Sequence, residues 1–422
     1  MLWLTRVTGE GLFMKIVNLI AAAIVGAFIV GVSVSVAQEL PASVTDAYMA
    51  YTEAVEANDL EAARRAAREA WQAGEAAEID AFTLAILADN YAQLSGVFEE
   101  YRNAANAYAR AGELLDEIEE DMLLRAQTWR LAAESALAAE RRREYRSYLQ
   151  NARQRIESAD AANAHVANEA ANIVLLETSQ LWGAGSHLRA GRLAVAAFES
   201  GLLEGAPPSQ ALGMLAFYSG ASAFVRAYHG AVNTISYSSS AGSRIRVNTA
   251  SNAEAAFWLS AAYYFMEEAG VEGRVKNGVR IWSEHIRSEM TPGNREELLR
   301  RLSEADYLVI PVEDVPGESD MEGEASGSTS VIVRAVRIHG PAPRYPLNAL
   351  EAGVEGFAVV SFDVSPEGET DNIHVLYSIP YSDFGAASMR VVENWRYSPK
   401  TVDGDPVWSR ELVTQFNFSV EG

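Results

Sequence analysis

The chain has 422 residues, 49% of them hydrophobic, and a formal net charge of −23, enough length for two or three domains with ample core. Its acidity excludes the basic, counterion-displacing face of a nucleic-acid binder and disfavours docking on anionic lipid headgroups. It contains no cysteine, which excludes disulfides, zinc–thiolate sites and thiol nucleophiles.

From Met14, a single basic residue, Lys15, precedes an uncharged run from Ile16 to Ala37 that closes on Ser35-Val36-Ala37. Small residues there fit signal-peptidase cleavage between Ala37 and Gln38. The run is also long enough to cross a bilayer, which takes about 20 residues, as an uncleaved anchor. Both readings of residues 1–37 stay open. Either places the remainder in the periplasm, soluble after cleavage or anchored to the inner membrane.

Residues 42–305 are predicted to be α-helical. Apolar and small residues recur three and four apart, as in Tyr48, Tyr51, Ala54, Val55, then Leu60, Ala63, Ala67, Ala70, Trp71. Asn58-Asp59 between these runs marks a helix stop and a new N-cap. Two more hairpin-like pairs follow, "FTLAILADNYAQLSG" with "FEEYRNAANAYARAGELL" and "LLRAQTWRLAAESALAAE" with "REYRSYLQNARQRIE". Each sets Ala where two helices pack closely and Tyr, Trp or Leu in the gaps. The region resembles a tetratricopeptide-like array of helix pairs, with an irregular helical bundle as the alternative. "GAGSHLRAG" (183–191) has Ser beside His but no preceding strand, and is predicted to be a turn between helices. Residues 231–252, rich in Ser, Asn and Gly, lack helical period and are predicted to be a loop.

Residues 311–330, "PVEDVPGESDMEGEASGSTS", are acidic and Gly/Ser-rich. Such a segment buries too little apolar surface to order itself and, as a flexible coil, spans about 25 Å. It is taken as a linker and domain boundary.

Residues 331–422 change to an α+β pattern. Val331–Ile338 alternates as a strand. "PLNALEAG" is a short helix with Pro346 in its first turn. In "FAVVSFDV", Ala358, Val360, Phe362 and Val364 share one face. "SPEGE" is a turn and "TDNIHVLYSIP" a strand. In "SDFGAASMRVVENWRYSP", Phe384, Ala387, Val391, Val392 and Trp395 fall on one helical face. "DGDPV" is a turn, and "WSRELVTQFNFSV" a final strand.

These residues resemble the TonB C-terminal domain, the periplasmic end of energy transducers in Gram-negative bacteria. The resemblance is carried by Pro343, Tyr345, Pro346, Ala349, Gly353 and Gly356, then the alternating positions Ala358, Val360, Phe362 and Val364. It continues through Val375, Ser378, Pro380, Phe384, Ala387, Trp395, Arg396, Tyr397 and Pro399, and ends on Asp403, Gly404, Pro406 and Val407. It covers only the last quarter of the chain. The resemblance implies a small domain with a three-stranded antiparallel sheet and two helices. It also implies capture of the TonB box of an outer-membrane TonB-dependent transporter, by addition of that peptide to a sheet edge. By the same analogy the partner-binding residues are Arg344, Tyr345 and Pro346, with Arg410, Leu412, Thr414, Phe416 and Phe418 on the final strand. Tyr345, Trp395, Phe416 and Phe418 are expected as core or turn residues rather than as contacts. A full transducer of this family also sets a Ser and a His of an uncleaved N-terminal helix against an inner-membrane proton-channel complex. Here the hydrophobic run has no histidine, and a helical region stands where the family has a Pro-rich spacer.

Chemistry-bearing motifs are lacking. The six histidines, His165, His187, His229, His285, His339 and His374, form neither HExxH nor an i, i+4 pair. There is no GxSxG, phosphate-binding loop or complete GxGxxG. Most carboxylates lie three or four residues from an Arg, as in "ERRREYR", and read as solvated ion pairs. No catalytic residue, metal site, cofactor or small-molecule substrate is predicted. The expected protein is a non-enzymatic, multidomain periplasmic one. It joins an all-α, TPR-like helical-hairpin domain to the small α+β domain, and serves either transport energy transduction or, as the alternative, an envelope scaffold uncoupled from the proton-motive force.

Overall fold

The computed structural model describes residues 40–159, 163–232, 249–288, 290–304, 332–351, 354, 356–379 and 382–418. The cleavage position Ala37-Gln38, the linker 311–330, Gly353 and Pro380 lie outside the described residues. The chain divides into two compact units, residues 1–176 with 200–206, and residues 177–199 with 207–422.

In the first unit, six helices each pack on the next: α1 (Ala42–Glu56), α2 (Leu60–Ala76), α3 (Ala81–Val97), α4 (Tyr101–Glu117), α5 (Met122–Ala138) and α6 (Arg142–Glu157). The predicted helix pairs are present. Helix starts follow from Asp59, Asp80 and Asp121, whose side chains accept backbone N–H bonds of the first turn. Helix ends follow from one repeated motif. The Asn58 and Asp59 amides donate back to Val55 and Ala54, and the same pair of bonds recurs at Glu78/Ile79, Glu99/Glu100, Glu119/Glu120 and Glu140/Arg141. Asn58, Glu78, Glu99, Glu119 and Glu140 all hold positive φ, at intervals of 20, 21, 20 and 21 residues. A helix pair therefore takes about 41 residues, longer than the roughly 34 of a tetratricopeptide unit. The reason is helix length, since α2 to α5 each run 17 residues.

Alanines allow the close approach: Ala63, Ala70, Ala88, Ala104, Ala132 and Ala133 are all fully buried. Some carboxylates predicted as solvated instead tie helices together. Asp116 of α4 accepts from Arg125 (2.7 Å) and Trp129 (3.0 Å) of α5 and Arg155 (2.5 Å) of α6. Arg130 of α5 pairs with Glu134 and with the buried Glu169 of α7 (Ala164–Gly183).

In the second unit, α8 (His187–Glu199) packs on α9 (Gln210–Val232), α9 on α10 (Thr249–Glu268), and α10 on α11 (Arg274–Ser288) and α12 (Pro292–Glu304). Of the 183–191 segment predicted as a turn, only residues 184–186 turn, with Gly185 at φ 76°, and His187–Gly191 already belong to α8. Glycines set the helix spacing: a Cβ on Gly191 would sit 2.0 Å from that of Ser222. At the two ends of the segment predicted as a loop over 231–252, residues 231–232 and 249–252 are helical, and 233–248 lie outside the described residues. Helices α9 and α10 claim those ends, because their long mutual packing overrides the weak propensities of Thr, Ser and Asn.

The C-terminal part of this unit holds a three-stranded antiparallel sheet in the order β4 (Thr370–Ile379), β3 (Gly356–Val364), β8 (Ser409–Phe418), with helices α13 (Leu347–Glu351) and α14 (Ser382–Val392). The predicted face is present. Ala358, Val360, Phe362 and Val364 pack with Phe384, Val392, Trp395 and Tyr397. Three predictions are corrected. The first strand is split into β1 (Ile332–Val333) and β2 (Val336–His339), which pair with β6 (Lys400–Val402) and β5 (Arg396–Ser398) rather than with the main sheet. Helix α14 stops at Val392, so Trp395 is not on its face; its indole N–H donates to Pro341 O (3.1 Å), and the residues after it are drawn into β5. The "DGDPV" turn is narrower than predicted. Asp403 and Gly404, at φ 55° and 94°, form a two-residue hairpin joining β6 to β7 (Asp405–Val407).

Candidate functional site

Every residue of β3 is buried, which requires cover on both faces of the sheet. The second face presents Phe357, Val359 and Tyr377 to helices of the same unit. The Tyr377 ring stacks on Trp282 of α11 (4.8 Å, 26°) and meets Phe217 of α9 (5.8 Å) and Trp182 of α7 (5.9 Å). Phe357 meets Phe224 of α9 edge-on at 5.3 Å. This aromatic layer joins helices and sheet in one core. Burial drives the Tyr377 phenol well above its usual pKa, and its hydroxyl has no hydrogen-bond partner within the protein. Tyr218 beside it is pushed up to about 12 by burial.

With both faces covered, the sheet can meet a partner only at its edges. Among the described residues no strand pairs with the outer edge of β8. The register against β3 runs from Phe418↔Gly356 through Phe416↔Ala358 and Thr414↔Val360 to Leu412↔Phe362. Unpaired N–H and C=O groups along such an edge are a ready template for another strand.

The predicted contact residues separate into several roles. Phe418 is buried, and Leu412 and Phe416 pack against the same core. Thr414, registered between them, shares their side of β8. Tyr345 lies edge-on to Phe384 (5.8 Å) and Phe418 (5.6 Å) and donates to Val354 O at 2.8 Å. Pro346 opens α13, its carbonyl accepting from Leu350 N. Arg344 is exposed. Arg410 is 55% exposed, lies over the Trp408 ring at 4.0 Å and donates to Asp363 at 2.6 Å. What β8 offers along its outer edge is therefore backbone, held straight by side chains that point into the core.

Sequence reasoning missed Asp363, a 6% exposed carboxylate in the middle strand. Its Oδ2 accepts from Asn372 of β4 (2.8 Å) and from Arg410 of β8 (2.6 Å), and its Oδ1 accepts from the Glu411 amide (2.8 Å). Burial pushes this carboxyl up, but those three donors outweigh it and hold it below the usual carboxylate range. The available signal was an acid in the otherwise apolar run "GFAVVSFDV". The Glu411 side chain reaches across to Arg280 of α11 at 2.6 Å.

The family pattern for the Gram-negative bacterial TonB protein C-terminal matches residues 341–420. Residues 341–420 are a TonB C-terminal domain. Protein TonB of Escherichia coli K12 is 37% identical over 80 residues, 19% of this chain and 31% of that protein. Protein TonB of Pseudomonas aeruginosa is 33% identical over 79 residues, 19% of this chain and 23% of that protein. The chain thus spans under a third of the length of these curated relatives. The solution structure of the Pseudomonas aeruginosa TonB C-terminal domain aligns at 30% identity over 21% of this chain and 88% of that one, with a TM-score of 0.19. A crystal structure of a TPR-repeat protein from Bacteroides fragilis aligns at 14% identity over 59% of this chain and all of that one, with a TM-score of 0.27. In this chain the TonB domain has helices over the second face of its sheet, so its β8 edge is fixed relative to α9–α11. Among the described residues no three His, Asp or Glu side chains converge on a metal-sized site, and no helix is long and apolar enough to cross a membrane.

Proposed function

We propose that this protein captures an extended segment of a partner along the outer edge of β8, and that it acts in the bacterial envelope as a TonB-family protein linked to outer-membrane transport. The observation that carries the reading is the outer edge of β8, which no strand among the described residues pairs with, in a domain whose two faces are already occupied. Backbone pairing then supplies affinity with little demand on partner sequence. The partner favoured by the family match is the TonB box of an outer-membrane TonB-dependent transporter, with coupling to an inner-membrane proton-channel complex as the wider role. No cofactor or catalytic residue enters this reading.

The aromatic layer favours a second role. A strand-capture domain built into a helical array, rather than hung from a spacer, suits an envelope scaffold whose helices hold a further protein. The two roles part on energy coupling, not on β8.

A proline scan of Leu412–Asn417 tests the shared element. Proline removes one N–H, and the amides of successive residues alternate between β3 and the open edge. Variants at alternate positions should fold normally yet lose binding of a transporter TonB-box peptide. Full binding by every folded proline variant would exclude β8 as the capture edge.

A further inference from the structure

Both edge strands leave regular pairing at one shared level of the sheet. The β3–β8 register shifts between Phe362 and Val364, and the β3–β4 register between Ser361 and Asp363, with a further β3–β4 shift between Val359 and Val360. At that level Glu411 of β8 holds φ 54° and Asn372 of β4 holds φ 47°. Both bulges are bound to the same side chain, the Asp363 carboxylate, through the Glu411 amide and the Asn372 side-chain amide. Arg410 adds a second contact from β8, and Arg280 holds the Glu411 side chain from the helical side.

A bulge inserts an extra residue, bends the strand and raises its twist, which ends flat pairing on its open side. The regular part of the β8 edge therefore runs from Leu412 to Phe418, about seven residues or ~23 Å of extended chain. Resting on the strand-capture reading above, we infer that Asp363 is a positioning residue that ends partner pairing at Leu412, so the site takes an extended peptide segment of about seven residues. Arg410 and Ser409, beyond the bulge, lie outside the paired stretch.

The chain has no cysteine, so single cysteines at Ser409, Val413 and Gln415 of the full chain report pairing without interference. The probe is a ten-residue alternating Thr-Val peptide with one cysteine, whose repetitive sequence permits every register. After mild oxidation, Val413→Cys and Gln415→Cys should form the mixed disulfide and Ser409→Cys should not. Adding Asp363→Ala should bring Ser409→Cys into the cross-linked set. Adding Glu411→Gly, which keeps a positive-φ residue in the bulge, should leave it silent. A merely structural role for Asp363 would lower the Val413→Cys and Gln415→Cys yields together, leave Ser409→Cys silent and move no boundary. Cross-linking at Ser409 in the parent, or an unmoved boundary in the Asp363→Ala chain, overturns the inference. Cross-linking at none of the three positions overturns the strand-capture reading itself. Should Asp363→Ala fail to fold, Asp363→Asn carries the same test, because it removes the charge holding Arg410 while leaving an acceptor for the Glu411 amide; the boundary is expected to fray towards Ser409, and an unchanged boundary counts against Asp363.

Discussion

Replacing Trp282 by Ala should open the sheet and the helices of the second unit together. Trp282 is 1% exposed and meets Tyr377 (4.8 Å), Phe224 (5.4 Å) and Phe217 (6.2 Å). A buried Trp→Ala change costs about 3–5 kcal/mol, and each aromatic pair adds about 0.5–1.5 beyond area burial. With three ring neighbours from two elements, ~4 kcal/mol is expected, roughly a thousandfold in the opening equilibrium. Amide hydrogen exchange read by mass spectrometry resolves where that falls. Protection should drop in α9 and α11 and equally in β3 and β4, while α1–α5 keep theirs. Tyr377→Phe is the contrasting control. Its hydroxyl is buried without a partner, so deleting it should raise stability by about 1 kcal/mol with the ring layer intact. Loss of protection in the helices alone, with the sheet unchanged, would refute the claim that the aromatic layer makes them one cooperative core.

Three further outcomes follow from single residues. Glu140→Gly relieves an acid held at φ 60° and should stabilise the first unit by ~0.5–1 kcal/mol in chemical denaturation, since glycine alone takes that conformation without strain. Asp89 is pushed up to about 6 by burial, against a bond from Gln93, so its charge is disfavoured in the fold. The penalty is absent below about pH 4, grows as pH rises and is complete above about pH 6; Asp89→Asn should remove that slope and add ~1–2 kcal/mol at pH 7 in pH-dependent melts. Gly368 sits at φ 81° with its missing Cβ 2.0 Å from Tyr397 O, so Gly368→Ala should cost more than about 3 kcal/mol and release β5 from the 365–369 turn, read as lost exchange protection at Tyr397.

Much of this was legible because local chemistry and fold agree. Asn58-Asp59 signalled a stop and a cap, and the structure places a positive-φ residue and an N-cap there. The alternation of Ala358, Val360, Phe362 and Val364 named the correct sheet face. The second face was not legible. Phe357, Val359 and Tyr377 alternate with a face already assigned inward, and nothing local shows that their cover is Trp182, Phe217 and Trp282, distant in sequence. Glu78, Glu99, Glu119 and Glu140 went unread as helix terminators because Glu is a helix former; the backbone hydrogen bonds of the following pair, not side-chain preference, fix their conformation. Trp395 was placed on a helix because its spacing fits one, but its indole bond to Pro341 O, 54 residues away, holds it beyond the helix end.

The most direct test of the central claim is amide exchange on the full chain with and without a saturating TonB-box peptide. Strand capture at β8 predicts new protection at alternate amides between Leu412 and Phe418, with the amides of β4 and α9–α11 unchanged. Protection appearing on β4 or only on helices, with β8 unmoved, would contradict it.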